Sequence, residues 1–318
     1  SITEWRPITG ALPPMNAAEW QSEFEKYQQI DEWRIQNQWM EMADFQVIYW
    51  WEWGHRQLGR VIGVVWALGF GYFALRRQIP TGWNGKLLLL GLLGGAQGAI
   101  GWWMVASGVT QGEAVTDVAS YRLATHLGLA FVILGFICWY IMELGRSGPD
   151  LMQARRARET KQWGMSTGLL HFTFLQILIG ALVAGIDAGR SYTDWPMMGG
   201  QWFPATAFAL EPFWRNFFES PGLVQLIHRV TGYVLFAFTI VVWLRGRKST
   251  HPNTRFAFNA VLAAMTLQIA LGIVTVVYGA PAYIAIFHQA LAVIVWVFIL
   301  RARFLSGYPV ATSLRGST

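Results

Sequence analysis

The chain has 318 residues, of which 54% are hydrophobic and 13% charged, against about 25% charged in a soluble domain. With a mean hydropathy of +0.34 this is the composition of an integral membrane protein. One cysteine, Cys138 inside an apolar run, excludes an intrachain disulfide and a cysteine-based metal site, and no cleavable signal sequence is visible.

Residues 1–54 are polar, acidic and rich in aromatics. Pro7, Pro13 and Pro14 keep the opening extended or turned. Asn16 followed by Glu19 predicts a capped helix from about Ala17 to Gln29. A second helical stretch is expected from about Asp31, through Met40, Phe45 and Ile48 to Trp51, with Trp50, Trp51 and Trp53 as an interfacial aromatic belt. Seven apolar segments follow, at about 55–75, 86–106, 120–143, 163–187, 222–244, 256–278 and 283–300. Each is near the ~20 residues that span a bilayer as helix, and helices satisfy their own backbone there. The fold class is therefore an all-α integral membrane protein with seven transmembrane helices in this chain.

Charge sets the expected orientation. The segments 76–86, 144–161 and 245–255 and the tail from 301 hold fifteen Lys and Arg and, counting Glu143 at their edge, three acids. The other face, including residues 1–56, holds nine Lys and Arg and fifteen acids. The basic face is expected to be cytoplasmic, or on the matrix side of a mitochondrion. The net charge of +6 is thus a topology signal, and no nucleic-acid partner is expected.

An internal repeat divides the chain. Ser1-Ile2-Thr3-Glu4-Trp5 resembles Ser191-Tyr192-Thr193-Asp194-Trp195, with Pro7 and Pro196 shortly after. His55-Arg56 matches His228-Arg229, Gln97-x-x-x-Gly101 matches Gln268-x-x-x-Gly272, and His126 takes the place of His288. The second copy follows the apolar stretch 163–187, so an equivalent helix is expected before Ser1. The chain then reads as seven helices of an eight-helix pseudo-symmetric pair of four-helix bundles. The expected organisation is an external loop with amphipathic helices (1–54), an amino-terminal half-bundle (55–143), a basic cytoplasmic linker (144–162), a carboxy-terminal half-bundle (163–304) and a cytoplasmic tail (305–318).

Four histidines, His55, His126, His228 and His288, fall near the external ends of their helices, two in each half. Ionisable residues inside a span are expensive and point to function, and two imidazoles facing one another in a bundle can take both axial positions of a haem iron. A zinc or copper site would want three or four clustered ligands, and no such cluster is written here. Gly94, Gly95, Gly98 and Gly101 give one helix a thin face, for close packing or for a flat ring. Arg56, Arg122 and Arg229 could meet haem propionates or anchor the interface. His171 is expected as a core hydrogen-bonder and His251 as a solvated loop residue. The halves differ at one position: Glu52, three before His55, corresponds to Gln225, three before His228. A carboxylate can move a proton or stabilise developing charge; a glutamine cannot titrate. The first half is the better candidate for chemistry and the second for a fixed electron-transfer cofactor.

Ser1-Ile2-Thr3-Glu4-Trp5-Arg6-Pro7-Ile8-Thr9-Gly10, Glu52-x-x-His55-Arg56, Thr125-His126, His228-Arg229 and His288-Gln289 together resemble the haem A synthase family over nearly the whole chain. The resemblance implies eight transmembrane helices in two halves and oxidation of one ring methyl of haem O to a formyl group, giving haem A for cytochrome oxidase, through successive hydroxylations. It implies that His55 and His126 bracket the substrate haem, that His228 and His288 ligate a haem b cofactor, and that Glu52 is catalytic. It further implies an inner-membrane location, bacterial or mitochondrial, with the haem sites towards the external face. An electron donor or acceptor is required, and haem O synthase or a second copy of the chain are candidate partners, alongside membrane lipid. Some family members carry an external cysteine pair; here Cys138 is alone, as in the long-first-loop branch of mitochondria and related bacteria. Two alternatives stay open: a di-haem b-type electron-transfer protein resembling a quinol oxidoreductase, and a haem transporter. A bis-histidine iron has no open position for oxygen, which makes water a candidate oxygen source.

Overall fold

The computed structural model describes residues 1–109 and 116–310, which are built from helices, turns and loops. Eleven α-helices are described: α1 (Ala17–Tyr27), α2 (Asp31–Ile35), α3 (Met42–Leu75), α4 (Asn84–Val105), α5 (Ser120–Leu144), α6 (Gly148–Arg156), α7 (Thr160–Gly185), α8 (Asn216–Glu219), α9 (Pro221–Gly246), α10 (Pro252–Val277) and α11 (Ala282–Gly307). Among the described residues seven of these, α3, α4, α5, α7, α9, α10 and α11, are long and apolar enough to cross a membrane. They match the seven apolar segments read from the sequence. The expected tail at 305–318 begins inside α11, and its residues 311–318 lie outside the described residues. Two compact units form, residues 1–129 and 130–318, with the division inside α5.

In the first unit, Asn16 caps α1 by accepting from Glu19 N–H (3.0 Å), and the Glu19 carboxylate reaches back to Met15 N–H (2.7 Å). The helix expected to run from Asp31 through Trp51 is instead broken. α2 ends at Ile35, and Asn37 turns inward to donate to the buried Tyr27 hydroxyl (2.8 Å). Glu41 then starts α3 as its N-cap, in a reciprocal box with Asp44. An acid in place of Ser or Thr at the cap makes this box hard to read from sequence. α3 has 34 residues, about 50 Å at 1.5 Å per residue, against a hydrocarbon core of ~30 Å. The expected boundary at residue 55 is therefore a point within a continuous helix. The first turns of α3 pack Phe45 and Tyr49 against Ile2, Phe24, Tyr27 and Ile30 in an aromatic-rich core. Trp51 projects away at 79% exposure and Trp50 is half-exposed, whereas Trp53 packs against the aromatic core. Farther along, the Trp66 ring lies over Gly91 of α4, where a Cβ would come within 2.1 Å of it, and its indole N–H donates to Leu87 O (3.0 Å).

In the second unit, α7, α9, α10 and α11 enclose a core of Leu169, Leu235, Val242, Phe258, Val261, Val295 and Ile299. Proline sets two of the helix starts, Pro221 and Pro252, where a missing N–H costs nothing. At the basic end the Glu159 carboxylate accepts from Ser249 Oγ (2.7 Å) and Thr250 N–H (3.2 Å), while the Glu159 N–H donates to Ser306 O (3.0 Å). One residue thus ties together the starts of α7 and α10 and the end of α11.

Candidate functional site

His126, His228 and His288 each lie six or seven residues into their helices, which begin at Ser120, Pro221 and Ala282. That is about 10 Å along the axis at 1.5 Å per residue. His55 lies thirteen residues into α3, because α3 extends beyond the expected span. The His55 and His126 rings face one another with centroids 6.4 Å apart, inclined by 70°. His228 and His288 lie on α9 and α11 of the second unit.

Three of the four histidines sit against a shared device on a neighbouring helix. On α4, Gln97 Nε2 donates to the His126 backbone oxygen (3.0 Å) and lies 3.3 Å from its Nε2, while a Cβ at Gly101 would stand 2.9 Å from His126 Cε1. On α10, Gln268 Nε2 donates to the His288 oxygen (3.0 Å) and lies 3.2 Å from its Nδ1, with Gly272 2.9 Å from Cε1 in the same sense. On α7, Gln176 Nε2 donates to the His228 oxygen (2.9 Å) and lies 3.0 Å from its Nδ1, with Gly180 3.1 Å from Cε1. The sequence comparison paired the first and third of these; the second was missed, although Gln176-x-x-x-Gly180 carries the same spacing. Gly94, Gly95 and Gly98 have nothing within 4 Å of a would-be Cβ. Among the described residues no neighbour closes on these three positions, and Gly101 alone of that stripe touches a histidine.

The arginine after each first histidine holds the repeated segment. Arg56 donates to the carbonyl oxygens of Ile2 (3.0 Å) and Glu4 (3.1 Å). Arg229 donates to the equivalent oxygens of Tyr192 and Asp194 (2.9 Å each), and also to Met197 O (2.9 Å). The position three before each histidine joins the same grip with opposite polarity. Glu52 accepts from Ile2 N–H (2.9 Å), Ser1 Oγ (2.6 Å) and Arg56 Nη2 (2.6 Å); Gln225 Nε2 donates to Tyr192 O (3.0 Å). The internal repeat is thus a repeat of contacts as well as of letters. Trp5 of the first segment stacks on Trp102 at 5.8 Å, and Arg56 lies 5.9 Å over that ring. Arg122 donates to Trp103 O (2.8 Å) and stacks 4.7 Å over the Trp103 ring. The Nε atoms of Arg122 and Arg229 are buried without a hydrogen-bond partner among the described residues.

In the second segment the Asp194 carboxylate accepts from Gly199 N–H (2.7 Å) and Gly200 N–H (2.9 Å). These backbone donors hold its pKa below the ordinary aspartate value. Both glycines have positive φ, 64° and 73°, a conformation that other residues resist. His171 lies on an exposed helix face, its Nδ1 2.8 Å from Thr167 O, rather than in the core. Its flanking apolar letters carry no information about which helix face they cover. His251 is half-buried and faces Glu159 at 3.4 Å, so it is paired rather than solvated.

The first pair of histidines, His55 and His126, fits a haem. Two metal–imidazole bonds of about 2 Å, each with the ring nitrogen roughly 1 Å from the ring centre, put two trans imidazoles about 6 Å apart. His55 and His126 have that spacing. His126 Nδ1, Gln97 Oε1 and Gln268 Oε1 are buried and unpartnered, and the glycine cradles leave no spare volume behind the rings. Among the described residues no group of three or more His, Cys, Asp or Glu could hold a bare metal ion.

Residues 1–300 match the COX15-CtaA family model, described as cytochrome oxidase assembly protein. The chain is 87% identical over 317 residues to the protein named heme A synthase of Roseobacter denitrificans, covering 100% of this chain and 83% of that protein. It is 73% identical over 316 residues to the heme A synthase of Ruegeria sp. strain TM1040, covering 99% of this chain and 83% of the relative. It is also 59% identical over 317 residues to the heme A synthase of Paracoccus denitrificans, covering 100% and 83%.

Proposed function

The chain belongs to the COX15-CtaA family of cytochrome oxidase assembly proteins, and from that membership we infer that it is a multi-pass membrane oxidoreductase that converts haem O to haem A. The ring methyl becomes a formyl group by successive oxidation. His55 and His126 bracket the substrate, and the observation that carries this assignment is their 6.4 Å ring separation. His228 and His288 hold haem b. Bound there, haem b would supply one-electron transfer.

The chain's own groups divide the remaining work. Arg122 and Arg229 each keep a buried Nε–H free for a propionate. Arg56 is spent on Glu52, Ile2 and Glu4, so it positions the segment rather than a ligand. Glu52 is the carboxylate whose counterpart in the second unit is the non-titrating Gln225, and its carboxylate oxygens are where a proton leaving the substrate would be held. The basic ends of the spans face the cytoplasm in a bacterial inner membrane, or the matrix, and the histidines lie towards the opposite face.

The test is extraction of the haems from purified protein followed by chromatography. Haem b together with farnesylated haem in more than one oxidation state is the expected result. Recovery of haem b alone would sink the synthase reading in favour of di-haem electron transfer.

A further inference from the structure

Three Gln-x-x-x-Gly turns recur on α4, α7 and α10, and each meets one histidine at its Cε1 edge and its backbone oxygen, the ring nitrogen nearest the glutamine being Nε2 in His126, Nδ1 in His228 and either one in His288. The glycine leaves room for the imidazole edge: a Cβ at Gly101 or Gly272 would stand 2.9 Å from the ring Cε1, closer than carbon atoms tolerate, and one at Gly180 would stand 3.1 Å away, a tight contact that the ring relieves by a small shift. The glutamine one turn earlier grips the same residue twice, at its backbone oxygen and at a ring nitrogen. Two helices facing each other do not need this arrangement to pack. It fixes one torsion of one side chain, in three separate places.

We propose that Gln97/Gly101, Gln176/Gly180 and Gln268/Gly272 are positioning seats for the histidines they touch, the glycine setting the ring's place and the glutamine setting its rotation and electron-donating strength. This rests on the reading of those histidines as axial ligands. An iron-bound imidazole presents its second ring nitrogen as an N–H donor, and the acceptor it meets tunes its basicity. The amide atom nearest the ring is Nε2, a donor, so an imidazole that turns its N–H towards the glutamine requires the amide to turn over; Gln97 Oε1 and Gln268 Oε1 are buried with no partner and lose no bond in that exchange. Gln176 differs: its Oε1 already accepts from Thr231 Oγ1 (2.5 Å). The two ligands of the second pair therefore meet unequal neighbours. His288 has a free amide oxygen at hand, whereas His228 faces an amide whose oxygen is engaged. Glycine volume and glutamine polarity are separable functions of the seat, and they fail differently when removed.

The experiment uses the full chain purified with its haem, comparing Gly272→Ala, Gln268→Leu, Gln268→Glu and the reference His288→Ala. Haem content is read by pyridine haemochrome, ligand geometry by the g values in low-temperature EPR, and donor strength by redox titration. Gly272→Ala should lower haem b occupancy by about 10-fold or more while the haem held by the first unit is retained. Gln268→Leu should keep the haem and move its largest g value. Gln268→Glu puts a stronger acceptor against the ring N–H and should lower the midpoint potential relative to the leucine variant. Wild-type g values and potential in both Gln268 variants, with full haem b in Gly272→Ala, would overturn the seats. If His288→Ala itself keeps the wild-type spectrum, the ligand assignment falls and the proposal with it. A changed His288→Ala beside unchanged Gln268 and Gly272 variants removes the seats alone.

Discussion

Glu52 and Gln225 occupy the same place in the two units and grip the same segment with opposite polarity. Glu52 accepts the backbone N–H of Ile2, and Gln225 donates to the backbone oxygen of the equivalent Tyr192. Gln225 therefore demonstrates that an amide at this position can keep the segment docked. Glu52→Gln should leave the fold and bound haem intact while abolishing haem A formation; Glu52→Ala should lose the anchor as well, releasing residues 1–10 to protease. Normal haem A from Glu52→Gln would confine Glu52 to anchoring. A second carboxylate has a purely local task. The pKa of Asp194 is depressed chiefly by the Gly200 and Gly199 N–H groups, so its stabilising contribution is present above the ordinary aspartate pKa and is lost as pH falls through the lower folded value. The 194–200 loop should thus stay protected from hydrogen exchange at mildly acidic pH and open only in stronger acid. Asp194→Asn should remove that acid dependence, and an unchanged profile in the variant would assign the effect to another group.

Among the elements, the spans were legible because a run of about 20 apolar residues has one stable solution in a bilayer. Their ends were less so. α3 starts thirteen residues before the expected span, since the polar letters around Asp44 and Gln46 belong to a helix that projects beyond the hydrocarbon. Only the Glu41–Asp44 box marks that start. Helix crossings were the least legible feature, because a glycine in an apolar run reads the same whether it faces lipid or a neighbour. Gly246 faces a neighbour. A Cβ there would lie 2.1 Å from Phe258, a fully buried ring of the α9–α10 core. Gly246→Ala should destabilise the second unit by about 1–3 kcal/mol through overpacking, read as a lower thermal unfolding midpoint in detergent. Gly94→Ala and Gly98→Ala, with nothing within 4 Å, should leave the midpoint where it is. Equal effects at all three positions would mean that helix propensity, not the crossing, sets the response.

At the level of the whole molecule the internal repeat carried the most information. It paired the four histidines, and it paired two loop segments that the structure shows to be held by equivalent arginine contacts from Arg56 and Arg229. What the letters could not supply was direction: the same Gln-x-x-x-Gly pattern on α7 had no partner in the alignment of halves, so its contact with His228 emerged only in three dimensions. The charge distribution makes one further claim about the molecule. Nine Lys and Arg against fifteen acids fall in the loops that the sequence groups with the two repeated segments, and fifteen against three in the alternate loops. If that asymmetry orients the protein in the bilayer, both repeated segments must face away from the cytoplasm. The lone Cys138 makes the test simple, because a single Cys138→Ser substitution removes the thiol of these 318 residues. Ser22→Cys and Trp202→Cys, at exposed positions near the two segments, should react in intact cells with a maleimide that cannot cross the membrane. Gln78→Cys, exposed at the basic end of α3, should react only after the membrane is opened. Labelling of Gln78→Cys in intact cells, with Ser22→Cys protected, would invert the topology and place the histidines on the cytoplasmic side.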